Sequence, residues 1–273
     1  MIYDSLICPK CKSHLVRENN SLLCQKRHTY DIAKSGYVNM INTTSQKEKG
    51  DSKDMAVRRT AFLDSGKYEP FRDAILRATD AAATRSVVVD AGCGEGYYTT
   101  ALCNDFSYVY GFDLSKASID RAAKRAKELL LTDRCFFGVG SVYDIPIKDE
   151  TADCVVNIFA PIVEKEYTRI LKKDGILVIG CAGPKHLWGL KDILYDKTSL
   201  NTERADLPKD MELISKEQVC YEFEVSGENI KNLYMMTPYA HKTSRQAEER
   251  LFSHNALKAT ADFLILTYKK TTP

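Results

Sequence analysis

The chain lacks a long apolar run, a paired set of cysteines and any large net charge. None of its 273 residues belongs to an uninterrupted apolar stretch of the roughly 20 residues that a membrane-spanning helix needs. The segment Met1–Cys11 lacks the apolar centre of a secretory signal. Nine cysteines, an odd number with no paired framework, exclude a disulfide-stapled fold and point to a reducing compartment, so a cytoplasmic location is expected. Tryptophan is almost missing, with Trp188 the single example. No internal repeat is visible, which argues against a solenoid. What remains is an ordinary globular composition, 44% hydrophobic and 28% charged, in a length that suits one large domain and a small accessory one.

Six of the nine cysteines are scattered singly, but three cluster with a histidine near the N-terminus: Cys8, Cys11, Cys24 and His28. The spacing C-x2-C-x12-C-x3-H is that of a tetrahedral zinc site, with two ligand pairs joined by a hairpin. Four protein ligands leave no coordination position for water, so the expected role is structural. His14 lies in the same segment at a spacing that fits poorly. The net charge of +2 is unevenly spread: residues 1–60 carry eleven Lys and Arg against six Asp and Glu. A basic front suits a polyanionic partner, and RNA is the expected one.

Beyond the polar stretch 42–57, which reads as a linker, a helical pattern begins around Arg58 and another at Tyr68. Strand and helix patterns then alternate. Continuous apolar runs at Ser86–Ala91, Tyr108–Asp113, Cys135–Gly140, Asp153–Ala160 and Gly175–Ala182 are expected to be buried strands. Helical stretches separate them, among them Ser115–Leu131 and Glu164–Lys172. Gln218–Val225 and Asp262–Tyr268 are expected to be final antiparallel strands. The alternation predicts an α/β fold with a doubly wound parallel sheet.

The first of these strands runs into Asp90-Ala91-Gly92-Cys93-Gly94-Glu95-Gly96-Tyr97-Tyr98-Thr99. A dinucleotide fingerprint requires G-x-G-x-x-G, and here Tyr97 stands where the third glycine belongs. The order D-x-G-x-G-x-G is instead the pattern of a Rossmann-like, class I methyltransferase that uses S-adenosylmethionine. Asp113, twenty-three residues after Asp90, is placed to accept from the ribose hydroxyls. The run Asp144–Asp153 resembles the methyltransferase pattern D-x-P-x-x-D-x-x-x-D before the fourth strand, a resemblance that implies an Asp144 accepting from the adenine amino group. Tyr98 and Thr99 open a helix whose N–H groups point at a ligand. The expected division is a zinc-binding RNA-recognition module over 1–41, a linker over 42–60 and a methyltransferase domain over 61–273.

Several further stretches carry a resemblance: AKSGYVNM (33–40), GDSKDM (50–55), RRTAFLDSGKY (58–68), YDIPIKD (143–149), GPKHLWGLK (183–191) and MTPYA (236–240). With the CPKC module and DAGCGEGYYT they resemble the 23S ribosomal RNA guanine-N1-methyltransferases of the RlmA type over nearly the whole chain. The resemblance implies zinc at Cys8, Cys11, Cys24 and His28, and S-adenosylmethionine contacts at Tyr68, Tyr98, Thr99 and His186. It implies N1-methylation of a guanine in a hairpin loop of 23S rRNA by a homodimer, and some members of the family are linked with macrolide resistance. The chain departs from the family at His241, where an aromatic Trp is usual after the MTP segment.

Loss of the guanine N1 proton calls for an acceptor, and Glu164 and Glu166 are the carboxylates that follow the fourth strand. Phe159 stands there as a candidate for stacking on the base. The segment Asn157–Pro161 is not the N-P-P-[YF] arrangement of amino-directed adenine methyltransferases. Two other functions compete: a small-molecule methyltransferase, against which the zinc module counts, and a zinc-bearing ribosome-binding or assembly factor, against which the intact glycine loop and Asp113 count.

Overall fold

In the computed structural model, which describes residues 1–41, 50–202, 204 and 207–271, the N-terminal segment forms a small antiparallel sheet. Its strands are β1 (Leu15–Glu18), β2 (Ser21–Cys24) and β3 (Thr29–Asp31). Asn19, a residue tolerant of left-handed backbone, turns β1 into β2 with φ 55°. The chain then leaves this sheet as β4 (Val38–Asn39).

Two helices follow, α1 (Lys53–Asp64) and α2 (Glu69–Thr79). Alternating elements then build the large sheet: β5 (Val87–Ala91), α3 (Tyr97–Leu102), β6 (Tyr108–Asp113), α4 (Lys116–Glu128), β7 (Cys135–Val139), β8 (Ala152–Ile158), α5 (Glu164–Ile170), β9 (Leu171–Ala182) and α6 (Trp188–Leu194). The chain closes with β10 (Met211–Ser226), α7 (Glu228–Met235), a 3₁₀ turn at Pro238–His241, α8 (Arg245–Phe252) and β11 (Ala256–Lys270). The sheet order is β10-β11-β9-β8-β5-β6-β7-β4. All pairs from β4 to β9 are parallel, and β11 and β10 add antiparallel to that edge. Strands β5, β7 and β8 are buried along their whole length, as a parallel strand covered on both faces must be. The chain winds from β5 outward to β7, then crosses back to β8 beside β5. That reversal leaves a crevice at the carboxyl ends of the strands, where doubly wound folds bind ligands.

The zinc-ligand module is joined to this sheet, not tethered to it. Strand β4 pairs in parallel with β7. Leu6 bridges Ile147, the Ile7 N–H donates to the Pro146 carbonyl at 3.0 Å, and the Lys148 N–H donates to the Ser5 carbonyl at 3.0 Å. Leu6, Leu15, Leu22 and Tyr30 share one apolar cluster with Tyr110, Phe112 and Phe136 of the large sheet.

Two expectations need correction. Residues 42–49 of the expected linker lie outside the described residues, but α1 begins at Lys53, inside the remainder. Ser52 caps it by accepting from the Met55 N–H, and Asp54 pairs with Arg58 one turn on. Only Ala56, Phe62 and Leu63 are buried, so no apolar stripe marked the helix. Helices α7 and α8, inserted between the last two strands, had also gone unread. Among the described residues, no helix is long and apolar enough to cross a membrane.

The buried Tyr110 hydroxyl donates to the Ile2 carbonyl at 2.7 Å across the junction. Tyr110→Phe is expected to lower stability by about 1–3 kcal/mol, the cost of an orphaned buried acceptor, with zinc content unchanged. Denaturant melts and metal analysis check this.

Candidate active site and metal centre

The ligand atoms of Cys8, Cys11, Cys24 and His28 all lie within 4.8 Å of one another. Cys11 Sγ is 3.6 Å from Cys24 Sγ, and His28 Nδ1 is 3.3 Å from Cys8 Sγ and 3.5 Å from Cys24 Sγ. Zinc bonds of about 2.3 Å to sulfur and 2.0–2.1 Å to nitrogen separate tetrahedral ligands by about 3.5–3.8 Å, so this donor set fits the ion. Left-handed turns at Lys12 (φ 59°) and Arg27 (φ 60°) fold each ligand pair back on itself. The Tyr30 hydroxyl lies 3.1 Å from Cys8 Sγ, and the His28 N–H donates to Cys24 Sγ at 3.4 Å. Hydrogen bonds from Ser13 pull the Cys11 thiol down to about 6, which favours the thiolate that zinc requires. His14 is not part of the cluster.

A cleft of about 1110 Å³ opens at the carboxyl ends of the parallel strands. Gly92, Gly94, Asp90, Asp113, Tyr68, Tyr98 and His186 are among the residues that line it. Gly92 has φ 87°, and a Cβ there would meet the Ala160 Cβ at 2.4 Å, so only glycine lets the loops after β5 and β8 close together. The Asp113 carboxylate accepts from the Gly94 N–H at 3.1 Å and the Ser115 N–H at 2.7 Å. It thereby ties the glycine loop to the start of α4.

Asp90 is buried beneath this loop. Thr99 Oγ1 donates to its Oδ2 at 2.6 Å, and its Oδ1 has no hydrogen-bond partner among the described residues. Burial pushes the Asp90 carboxyl up to about 7. Glu95, equally buried, is raised by the same cause, with Arg59 opposing it from 4.0 Å. An orphaned buried carboxylate oxygen, a glycine cradle and a surplus of acids suit a ligand that is cationic and carries hydroxyls. S-adenosylmethionine, with its ammonium, sulfonium and ribose, meets that description.

The remaining expected contacts divide. His186 lines the cleft with its Nε2 3.5 Å from the Tyr68 hydroxyl, while its Nδ1 accepts the Asp262 N–H at 3.4 Å. Burial lowers its pKa to about 4, so the ring is neutral and its proton sits on Nε2. Thr99 does not line the cleft: it is fully buried and donates to the Asp90 carboxylate. Asp144 does not line it either. Its carboxylate pairs with Lys12 of the zinc module, and Gly140 and Val142 of the same loop face the cleft instead. Glu164 and Glu166 do not line the cleft. Glu164 accepts from the Lys209 and Asp210 N–H groups, and Glu166 accepts from the Ile145 N–H and pairs with Arg169. Asp51 and Arg59 are cleft residues that reading the segment as a linker had missed. The MTPYA stretch contributes Met236, Thr237, Pro238 and Tyr239, and His241 also lines the cleft.

Glycine loop, acid-tipped second strand and crevice at the strand reversal together define an S-adenosylmethionine-dependent methyltransferase carrying a structural zinc centre. The family described as "Methyltransferase domain" matches residues 88–175, and that described as "RlmA, N-terminal" matches residues 6–49. A 23S rRNA (guanine(748)-N(1))-methyltransferase of Streptomyces fradiae is 33% identical over 195 residues, 69% of this chain and 67% of that protein. A putative 23S rRNA (guanine-N(1)-)-methyltransferase of Micromonospora griseorubida is 30% identical over 82% of this chain and 78% of that one. The chain belongs to this family of 23S rRNA (guanine-N1)-methyltransferases. The crystal structure of the YcgJ protein of Bacillus subtilis shares the fold, with TM-score 0.51 and 13% identity over 74% of this chain and 98% of that chain.

Two outcomes are expected. Metal analysis gives one zinc per chain, and Cys24→Ser loses it together with the ordered N-terminal module. Asp90, raised from the ordinary carboxylate range to about 7, costs the ligand-free fold stability that declines as pH climbs from about 4 to about 7, then levels off. A cationic ligand needs the ionised form, so S-adenosylmethionine, with its ammonium and sulfonium, should bind about tenfold more tightly at pH 8 than at pH 6. Asp90→Asn should flatten that profile in calorimetry.

Proposed function

We propose that this chain transfers the methyl group of S-adenosylmethionine to N1 of a guanine in a hairpin loop of 23S rRNA. The observation that carries the reading is the joining of a zinc-ligand module to the same sheet that forms the cofactor cleft. A small-molecule methyltransferase has no need of a basic module fused to its sheet edge, whereas an rRNA substrate needs a surface beyond the cleft. Family membership supports the same substrate. Guanine N1 lies on the Watson–Crick edge, so a base in a helix hides it and a loop base presents it.

S-adenosylmethionine, when bound, supplies an already activated methyl group. The task left to the protein is alignment of the acceptor nitrogen and management of charge. Tyr68, Tyr98, Asp90, Gly92, Gly94 and Asp113 hold the cofactor in this reading. The neutral His186, with its proton on Nε2, is suited to donate to charge building on the base as N1 loses its proton, not to accept that proton. The basic front of residues 1–60 receives RNA backbone. Work on ribosomal RNA puts the enzyme in the cytoplasm, and two copies would frame the RNA between their zinc modules.

Reverse-transcriptase mapping of 23S rRNA after incubation with protein and S-adenosylmethionine tests the reading. An N1-methyl group blocks Watson–Crick pairing, so a cofactor-dependent stop one nucleotide before a loop guanine is expected. No stop, in a protein that still binds S-adenosylhomocysteine, returns the assignment to a small-molecule substrate or a non-catalytic ribosome factor.

A further inference from the structure

After β8 the chain passes through Phe159-Ala160-Pro161 at the lip of the cleft. Phe159 has φ 56°, a left-handed conformation that a bulky L side chain adopts only when its surroundings impose it. Those constraints are on both sides of it. The Phe159 N–H donates to the Gly180 carbonyl at 3.0 Å. Ala160 packs on Gly92, and its carbonyl accepts from Arg204 at 3.2 Å. The Pro161 carbonyl accepts from the side chains of Asn157 at 3.0 Å and Tyr167 at 2.9 Å, both buried. The segment is held so that a phenyl ring on strained backbone is displayed.

The display has a direction. Among the described residues, Phe159 and Leu187 are the non-glycine residues of left-handed backbone that line the cleft, and Leu187 is buried. Phe159 is 47% exposed. Behind it stands a rigid aromatic wall, with ring centroids at 5.8 Å for His186, 6.0 Å for Phe71 and 6.1 Å for Phe263. Phe71 and Phe263 are themselves stacked at 3.9 Å. An exposed ring with a fixed back and an open front takes a flat π-system.

Which flat ligand follows from the strand order. The acid suited to the cofactor ribose, Asp113, ends β6, and Gly140 and Val142 follow β7, so the nucleoside of the cofactor belongs on that side of β5. Phe159 follows β8, on the opposite side of β5, where the second substrate enters. We infer that Phe159 is the platform on which the target guanine stacks, a role that rests on the base-methylating function proposed above. Its strained backbone is the means by which the fold holds a phenyl ring in the cleft and out of the core.

The test uses the full-length zinc-loaded protein and a 23S rRNA transcript. Phe159→Gly removes the ring and the left-handed penalty together; Phe159→Leu keeps apolar bulk against Phe71 and Phe263 but removes the flat ring; Phe159→Tyr restores it. For Phe159→Gly and Phe159→Leu, kcat/KM for the transcript should fall about 5- to 150-fold, the span of one base–aromatic stack. S-adenosylhomocysteine affinity should stay within about twofold of wild type, and Phe159→Tyr should recover most of the rate. Melting of Phe159→Gly at or above the wild-type temperature supports a ring kept for function. Wild-type rates in Phe159→Leu overturn the inference. So does a parallel loss of S-adenosylhomocysteine binding, which puts the ring on the cofactor, and so does failure of Phe159→Tyr to recover activity. A wild-type protein that binds S-adenosylhomocysteine and yields no stop on rRNA overturns the function itself, and the platform with it.

Discussion

The contact between Ala160 and Gly92 sets the shape of the cleft. Strands β5 and β8 are hydrogen-bonded neighbours, and the loops leaving them diverge unless one backbone lies against the other. With no side chain at Gly92, the Ala160 methyl occupies the space a Cβ would need. The consequences run in both directions along the chain. On the β5 side, the glycine loop is pressed over Asp90, which keeps that carboxylate buried and partly unpaired. On the β8 side, the chain has to turn at Phe159 in a conformation it would not choose alone, and the ring is left at the cleft edge. One close approach thus relates a buried acid suited to the cofactor and an exposed aromatic suited to the base.

The second constraint is the shared core of the zinc-ligand module and the sheet. A small three-stranded sheet of this size cannot bury enough apolar surface to fold alone. Here it has two remedies, a metal cluster at one end and the face of the large sheet at the other. Leu6 and Leu22 are fully buried in the same cluster as Phe112. The loop 140–147 lies between them: Gly140 and Val142 face the cleft, while Asp144 and Pro146 contact the module. The module and the cofactor wall are therefore successive stretches of one loop, which gives the position of the zinc centre a direct mechanical relation to the cleft.

Much of this was legible in the sequence, and what was not has physical causes. The zinc ligands were readable because metal geometry imposes short, rigid spacings on the chain. The glycine loop was readable because backbone crowding tolerates no other residue. The parallel strands were readable because burial on both faces enforces continuous apolar runs. Helix α1 was not, since it packs through scattered residues and is held by a cap and ion pairs. Thr99 and Asp144 were each within a few residues of the cleft, yet one turned to Asp90 and the other out to Lys12. Spacing along the chain gives proximity, but side-chain direction depends on what is packed alongside. Glu164 and Glu166 show the same limit, because the backbone amides they bind come from segments distant in sequence.

The sequence by itself determined the zinc-ligand cluster, the buried parallel strands, the cofactor loop and the family, since each depends on local spacing or on a residue type that nothing else can replace. Only the tertiary structure decided which carboxylates face the cleft, that His186 is neutral with its proton on Nε2, that the module and the sheet share a core, and that Phe159 stands strained at the entrance. Those properties arise from contacts between segments far apart in the chain, where burial, backbone partners and close packing outweigh anything that neighbouring residues prescribe.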